Sequence, residues 1–112
     1  MSAATDAYDK AIADLRNLRD ANRLAEILAA QVACAAMEAV FAEHGYVKGG
    51  KYRTIDWLNW RGEPQLREFE GCVIRYGEAC GRFFVLTTSG KRHLGRGPIY
   101  TAYRYITEAV PA

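Results

Sequence analysis

The stretch from Ala3 to His44 contains neither glycine nor proline, and no other feature of the sequence constrains the fold as strongly. Its composition, dominated by alanine, leucine, arginine and acidic residues, is typical of helix. Thr5 or Asp6 can cap the start of a helix, and Gly45 is well placed to end it in a left-handed conformation. The sequence therefore predicts that this whole stretch is helical.

The length of this stretch raises the question whether it forms one helix or two. A single helix of about 38 residues would be about 57 Å long, whereas a compact domain of this size is about 35 Å across. Because a second subunit could cover the excess, and because alanines four residues apart let another backbone approach closely, we expect one long or kinked helix in a homodimer. The alternative is a break at RDANR, residues 19–23, where Asp20 or Asn22 can cap a second helix. The alanines that lie four residues apart are Ala25, Ala29 and Ala33.

After Gly45 the chain is rich in aromatic and β-branched residues, interrupted by glycine-containing turns, which is the pattern of strands. Four strands are expected, at residues 52–60, 69–76, 82–88 and 99–107. The sequence thus predicts an α+β fold, with an N-terminal long or broken helix packed on an antiparallel sheet of about four strands. All 112 residues are expected to form one domain, helical and acidic over 1–45 and β-rich and basic over 46–112.

The central hairpin is expected to turn within GEACG, residues 77–81, because glycines flank that short loop. This register pairs Cys72 with Leu86 and Ile74 with Phe84, and it sets those four side chains against the helix. The opposite face then carries basic, aromatic and aliphatic side chains from both strands: Val73, Arg75, Phe83, Val85 and Thr87.

Charge is distributed unevenly along the chain, although the net charge is only +2. Residues 1–44 carry four Lys/Arg and seven Asp/Glu, whereas residues 45–112 carry eleven and six. A basic C-terminal part favours an acidic or polyanionic partner. The same part contains the loop TTSGKRHLGRGP, residues 87–98, which lies between two expected strands.

This loop is not a phosphate-binding loop of the Walker type. Gly90-Lys91 is followed by Arg92 where that motif needs serine or threonine, and a strand follows instead of a helix. Its excess length and concentrated charge nevertheless favour a contact surface. Guanidinium groups pair with phosphate and aromatic rings stack on bases, so we expect anion or partner binding at Lys91, Arg92, Arg96, Arg82, Arg75, Arg104, Phe83 and Tyr103.

The sequence lacks the spacings that metal sites and catalytic pairs require, since it contains no CxxC, HxH or HExxH. We expect no metal, no cofactor and no catalytic residue, with Cys34 and Cys72 as buried small hydrophobic residues and Cys80 in a loop. An odd number of cysteines predicts a reduced, cytoplasmic chain. No secretory signal and no apolar run long enough for a membrane span are visible.

These observations predict a small non-catalytic binding or inhibitor protein. Its basic, aromatic-rich sheet and loop would engage nucleic acid or a nucleic-acid-processing protein, as phage-type anti-defence or anti-CRISPR inhibitors do. One alternative is a homo-oligomeric protein that sequesters or senses a small nucleotide-like anion. Another is a small enzyme whose site has no recognisable motif.

Overall fold

A computed structural model describes residues 2–18, 22–58, 62, 64–86 and 99–112. Two helices precede a sheet of five antiparallel strands, so the expected α+β fold is confirmed. A 3-10 helix, Tyr103–Tyr105, separates the last two strands. The elements in chain order are α1 (Ala3–Asn17), α2 (Arg23–Glu43), β1 (Lys51–Leu58), β2 (Pro64–Arg75), β3 (Glu78–Val85), β4 (Ile99–Ala102) and β5 (Val110–Pro111).

The helical stretch is divided in two, so the prediction of one long helix is wrong and the alternative break is confirmed. The side-chain oxygen of Asn22 accepts a hydrogen bond of 2.9 Å from the backbone N–H of Ala25 and caps α2. The cap of α1 is Ser2, not Thr5 or Asp6, because its Oγ accepts a hydrogen bond of 3.0 Å from the Thr5 N–H. Since α1 folds back along α2, the extra helix length is covered within the chain.

The alanines expected to admit a second subunit lie in two different environments. Ala25 and Ala29 line a groove shared with Ala11 and Leu18 of α1. Ala33 is fully buried in the core. The small side chain of Ala33 therefore allows close packing in the core, whereas Ala25 and Ala29 border open space beside α1.

Aromatic rings fill the space between α2 and the sheet. The Phe41 ring stacks on Phe69 with centroids 5.0 Å apart, and Phe83 lies 5.2 Å from Phe69. Gly81 of β3 lies directly beneath Phe41, whose ring occupies the place where a Cβ atom would be. The helices consequently sit on one face of the sheet.

The strands follow the order β4-β3-β2-β1-β5, so β4 and β5 form opposite edges of the sheet. Residues 103–109 connect these edges by crossing the helix-covered side. Tyr103 packs on Tyr8 of α1 with ring centroids 5.5 Å apart, and the Ala109 N–H donates to the carbonyl oxygen of His44 over 2.8 Å. This crossing segment closes the core beyond the end of α2.

The β2–β3 hairpin turns at Tyr76 and Gly77 rather than within residues 77–81. Cys72 pairs with Gly81 and not with Leu86, which is a shift by an odd number of residues. Because side chains alternate along a strand, such a shift leaves the faces of β2 as expected and exchanges those of β3. Cys80, expected in a loop, is therefore a buried residue of β3.

Candidate functional site

The helices leave one face of the sheet uncovered by any element of the described chain, and we call it the outer face. Strand alternation assigns side chains to it, because their neighbours Tyr52, Arg67, Ala79 and Phe83 are buried on the helix side. The pairing of β1, β2, β3 and β4 sets residues of the same face next to one another on neighbouring strands. The charged and aromatic residues of the outer face include Lys51, Arg53, Glu68, Arg75, Glu78, Arg82, Phe84 and Tyr100, and its apolar residues include Leu66, Val73, Cys80 and Ala102.

Arg75, at the end of β2, lies between two aromatic rings. Its guanidinium carbon is 4.4 Å from the Tyr100 ring centroid and 5.2 Å from that of Tyr76. Both distances fall within the range of a cation–π interaction. A hydrogen bond with the Tyr76 side chain raises the pKa of Arg75 further, so this guanidinium remains charged at physiological pH. The group thus offers a fixed positive charge framed by two rings.

Tyr76 has an unusual backbone and an exposed ring. It is the one non-glycine residue of the described chain with positive φ, at 52°, and it is 91% exposed. With Gly77, at φ 77°, it forms a two-residue hairpin turn in which both central residues need this conformation. Asparagine is the usual first residue of such a turn, and a bulky side chain there is disfavoured. The turn therefore explains the backbone conformation but not the choice of tyrosine.

Two further arginines of the predicted set also lie over aromatic rings. The Arg82 guanidinium is 5.1 Å from the Phe84 ring centroid, and Arg82 pairs with Tyr100 across β3 and β4. Arg104, at the β4 edge, lies 5.3 Å from the ring of Tyr105, which is 64% exposed. Tyr100 thus links Arg75 and Arg82 on the outer face.

Two of the predicted contact residues do not lie on the outer face, and three lie outside the described residues. Phe83 is only 3% exposed and belongs to the core, because the hairpin register turns it toward α2. Tyr103 lies in the 3-10 helix and packs on Tyr8, so it does not reach the outer face. The three basic loop residues lie outside the described residues: Lys91, Arg92 and Arg96.

The outer face carries charges of both signs with a positive excess. Lys51, Arg53, Arg75 and Arg82 provide four positive charges. Carboxylates on this face include Glu68, which pairs with Lys51, and Glu78, which pairs with Arg75. The face can therefore attract an anion, although neighbouring glutamates weaken that attraction.

Tyr76 is an exposed candidate that the sequence-based prediction did not include. It was assigned to the strand and paired with Arg82, whereas it occupies the hairpin tip. A signal was present, since Tyr76-Gly77 lies between apolar-alternating segments and glycine at the second turn position is typical of a tight hairpin.

The three cysteines are free and not activated for catalysis. Burial raises the pKa of the thiols of Cys34, Cys72 and Cys80, and neighbouring Glu38 or Glu78 raises it further. All three thiols are therefore protonated near neutral pH, whereas a nucleophilic cysteine needs a lowered pKa. In the described ranges, no three His, Cys, Asp or Glu side chains are grouped so as to hold a metal ion.

Helix α2 satisfies the length and composition of a membrane-spanning helix, which is weak evidence on its own. The same helix contributes the core residues Met37, Val40 and Phe41. Spanning a membrane would remove these side chains from their contacts with the sheet.

Comparison with protein-family models, with curated proteins and with solved structures finds no match to this chain.

Proposed function

We propose that this chain is a small non-catalytic binding protein that engages single-stranded nucleic acid through the outer face. The observation that supports this proposal is the cluster of Arg75, Tyr76 and Tyr100, in which an exposed ring and a fixed guanidinium stand side by side. Single-strand binding proteins combine these two groups, with rings stacking on bases and cations pairing with phosphates.

The backbone of Tyr76 gives this proposal a physical basis. Residues held in a sparsely populated backbone region cost on the order of 1–3 kcal/mol and are concentrated at functional sites. Tyr76 is in such a region, and its ring is 91% exposed, so little of it contributes to packing. A contact with a partner is a reason for tyrosine at this position, whereas asparagine would suit the turn better.

A nucleic-acid-processing protein is the second candidate partner, as for an inhibitor of the anti-defence type. It is favoured by Glu68 and Glu78, which stand among the cations of the outer face. Carboxylates repel phosphates, while protein interfaces use complementary charges of both signs. Tyrosine and arginine are also the residues most enriched at the centres of protein interfaces.

We further propose that the protein is a homodimer through an exposed side of α2. Four of its large apolar side chains are exposed, and three of them, Leu24 at 66%, Leu28 at 52% and Val32 at 60%, share one side of the helix. They continue along the same side of the helix into small exposed residues, Ala35 and Ala39. We call these five residues the α2 stripe.

The order of side-chain sizes along the α2 stripe favours an antiparallel, two-fold contact. The large residues occupy its N-terminal half and the alanines its C-terminal half. In an antiparallel pair, the leucines of one copy face the alanines of the other, so large side chains meet space. A parallel pair would set leucine against leucine and leave the alanines apart.

Binding to a labelled single-stranded oligonucleotide, measured by fluorescence anisotropy at several salt concentrations, tests the nucleic-acid proposal. Contacts from Arg75, Arg82 and Arg104 alone predict a slope of log K against log salt of about −2, and participation of the three loop cations raises it to about −4. The triple variant Lys91→Glu, Arg92→Glu, Arg96→Glu distinguishes these cases. No detectable binding at low salt would exclude nucleic acid and leave the protein partner.

A further inference from the structure

A cavity of about 190 Å³ lies on the helix side of the sheet, beneath the segment that crosses from β4 to β5. Aromatic side chains from three elements form one part of its wall, and residues of β4 and of the crossing segment form the other. The lining includes Phe41, Tyr46, Arg67, Phe83, Thr101 and Thr107. The cavity reaches the outer face at the β4 edge, because Tyr100 and Ala102 of β4 also line it.

Arg67 of β2 is the only charged residue that lines the cavity among the described residues. It is 2% exposed, and strand pairing sets it beside Tyr52 and Val85. A guanidinium is charged at any pH and carries five N–H donors in a planar fork, which matches a carboxylate or a phosphate.

The lining of the cavity fits an anion that carries a small body. No aspartate or glutamate belongs to the described lining, so no carboxylate there repels an oxyanion. Thr101 and Thr107 bring hydroxyl groups, and Phe41, Tyr46 and Phe83 bring rings. The volume of about 190 Å³ suits a ligand with a small body.

We propose that this cavity binds a compact oxyanion, a carboxylate or phosphate on a small body, with Arg67 pairing with the anion. The hydroxyl groups of Thr101 and Thr107 assist, and the aromatic wall contacts the rest of the ligand. This site lies apart from Arg75 and Tyr76, although Tyr100 belongs both to its lining and to the outer face. It also differs from a nucleotide site, because the nucleoside part would remain outside.

Amide NMR titrations of the full chain test this proposal with three probes: benzoate, inorganic phosphate and adenosine monophosphate. We expect saturable shifts at Thr101, Thr107 and Tyr46 with benzoate or with phosphate, and none at Ala35 on the exposed side of α2. A response to benzoate alone identifies a carboxylate ligand, and a response to phosphate alone identifies a phosphate ligand. Adenosine monophosphate should bind no more tightly than phosphate.

Arg67→Met tests the role of the charge, because a buried ionic group replaced by an apolar one of similar length often leaves the fold intact. We expect at least a tenfold loss of affinity for the bound probe, since hydrogen bonds to charged groups are the strong ones. Arg23→Met removes one exposed arginine at the start of α2 and should leave binding unchanged. If Arg67→Met does not melt cooperatively, Thr101→Val replaces it, with an expected loss of about two- to tenfold.

The proposal is overturned if none of the three probes shifts the cavity amides. It is equally overturned if binding survives both Arg67→Met and Thr101→Val, or if Arg23→Met weakens it as much as Arg67→Met. Tighter binding of adenosine monophosphate than of phosphate would contradict the small-body ligand.

Discussion

Gly81 shows how a single missing side chain sets the distance between α2 and the sheet. The Phe41 ring occupies the space in which a Cβ atom at this position would lie. We therefore expect Gly81→Ala to lower the free energy of unfolding by about 1–3 kcal/mol through overpacking, measured by urea denaturation. Combination with Phe41→Leu should cost less than the sum of the two single changes, because the smaller side chain makes room. Strict additivity would contradict this account.

Ionisation of the buried thiols predicts a loss of stability in alkaline solution. Burial holds the pKa of Cys72 well above the value of 9.0 that the thiol has in the unfolded chain. As pH rises through the unfolded value, the unfolded chain loses its thiol proton while the folded chain keeps it, so the free energy of unfolding falls. Below the pKa of the unfolded chain, both states keep the thiol proton, so the stabilising contribution of the buried neutral thiol is fully present.

The alkaline effect can be measured by urea denaturation between about pH 8 and pH 9.5. We expect Cys72→Ala to reduce the decline in the free energy of unfolding relative to the unmodified chain, whatever its effect at neutral pH. Identical declines in the two proteins would show that the Cys72 thiol does not cause it.

Arg67 shows how far the sequence predicts the lining of the proposed cavity site. Phe69 was expected in a strand, and a period of two places Arg67 on the same face. The expected strand began at Phe69, whereas β2 begins at Pro64, so the arginine fell outside it. If the alternation of the expected strand is continued two residues before Phe69, it places Arg67 with the core. No sequence pattern, however, could reveal the cavity beside Arg67.

At the level of elements, composition predicted the helical stretch but not its division. Propensity over residues 19–23 does not decide between one helix and two, because the decision depends on how α1 packs on α2. Asn22 was identified as one of two possible caps, and it forms the capping hydrogen bond with Ala25. Local chemistry thus predicted where the chain can break, while tertiary packing determined that it does.

The hairpin shows the opposite case, in which local chemistry misled. Glycines at 77 and 81 suggested a loop between them, but Gly81 is a strand residue kept small by Phe41. Adjacent aromatic residues Phe83 and Phe84 fit either face equally, so hydrophobicity could not correct the register. This single error produced the wrong positions of both Phe83 and Cys80.

For the whole molecule, the α2 stripe predicts the oligomeric state. Light scattering should give twice the chain mass of 12.5 kDa. Leu28→Glu places a charge in the middle of the contact and should give the single-chain mass, whereas Ala13→Glu, on an exposed position of α1, should remain dimeric. A monomeric unmodified chain, or co-flotation of it with lipid vesicles, would contradict a homodimer formed through this stripe.

The two proposed binding regions use opposite faces of one sheet. The outer face presents Arg75, Tyr76 and Arg82 to solvent or to a partner, and the helix side encloses the cavity at Arg67. The arginines of the outer face could be selected from sequence because they lie on strands, while their aromatic partners depend on the hairpin register. The fold class was therefore predictable, and the composition of the site was predictable only in part.

The most direct test of the central claim compares Tyr76→Asn with the unmodified chain in both folding and binding. We expect the variant to be more stable, by up to about 1 kcal/mol, because asparagine suits the turn. It should bind the single-stranded oligonucleotide more weakly by about 1–3 kcal/mol, through the lost stacking, with an unchanged salt slope because no charge is removed. Val47→Asn, at another exposed apolar residue, should alter neither property. Unchanged affinity of Tyr76→Asn would contradict the proposal that Tyr76 is kept for binding.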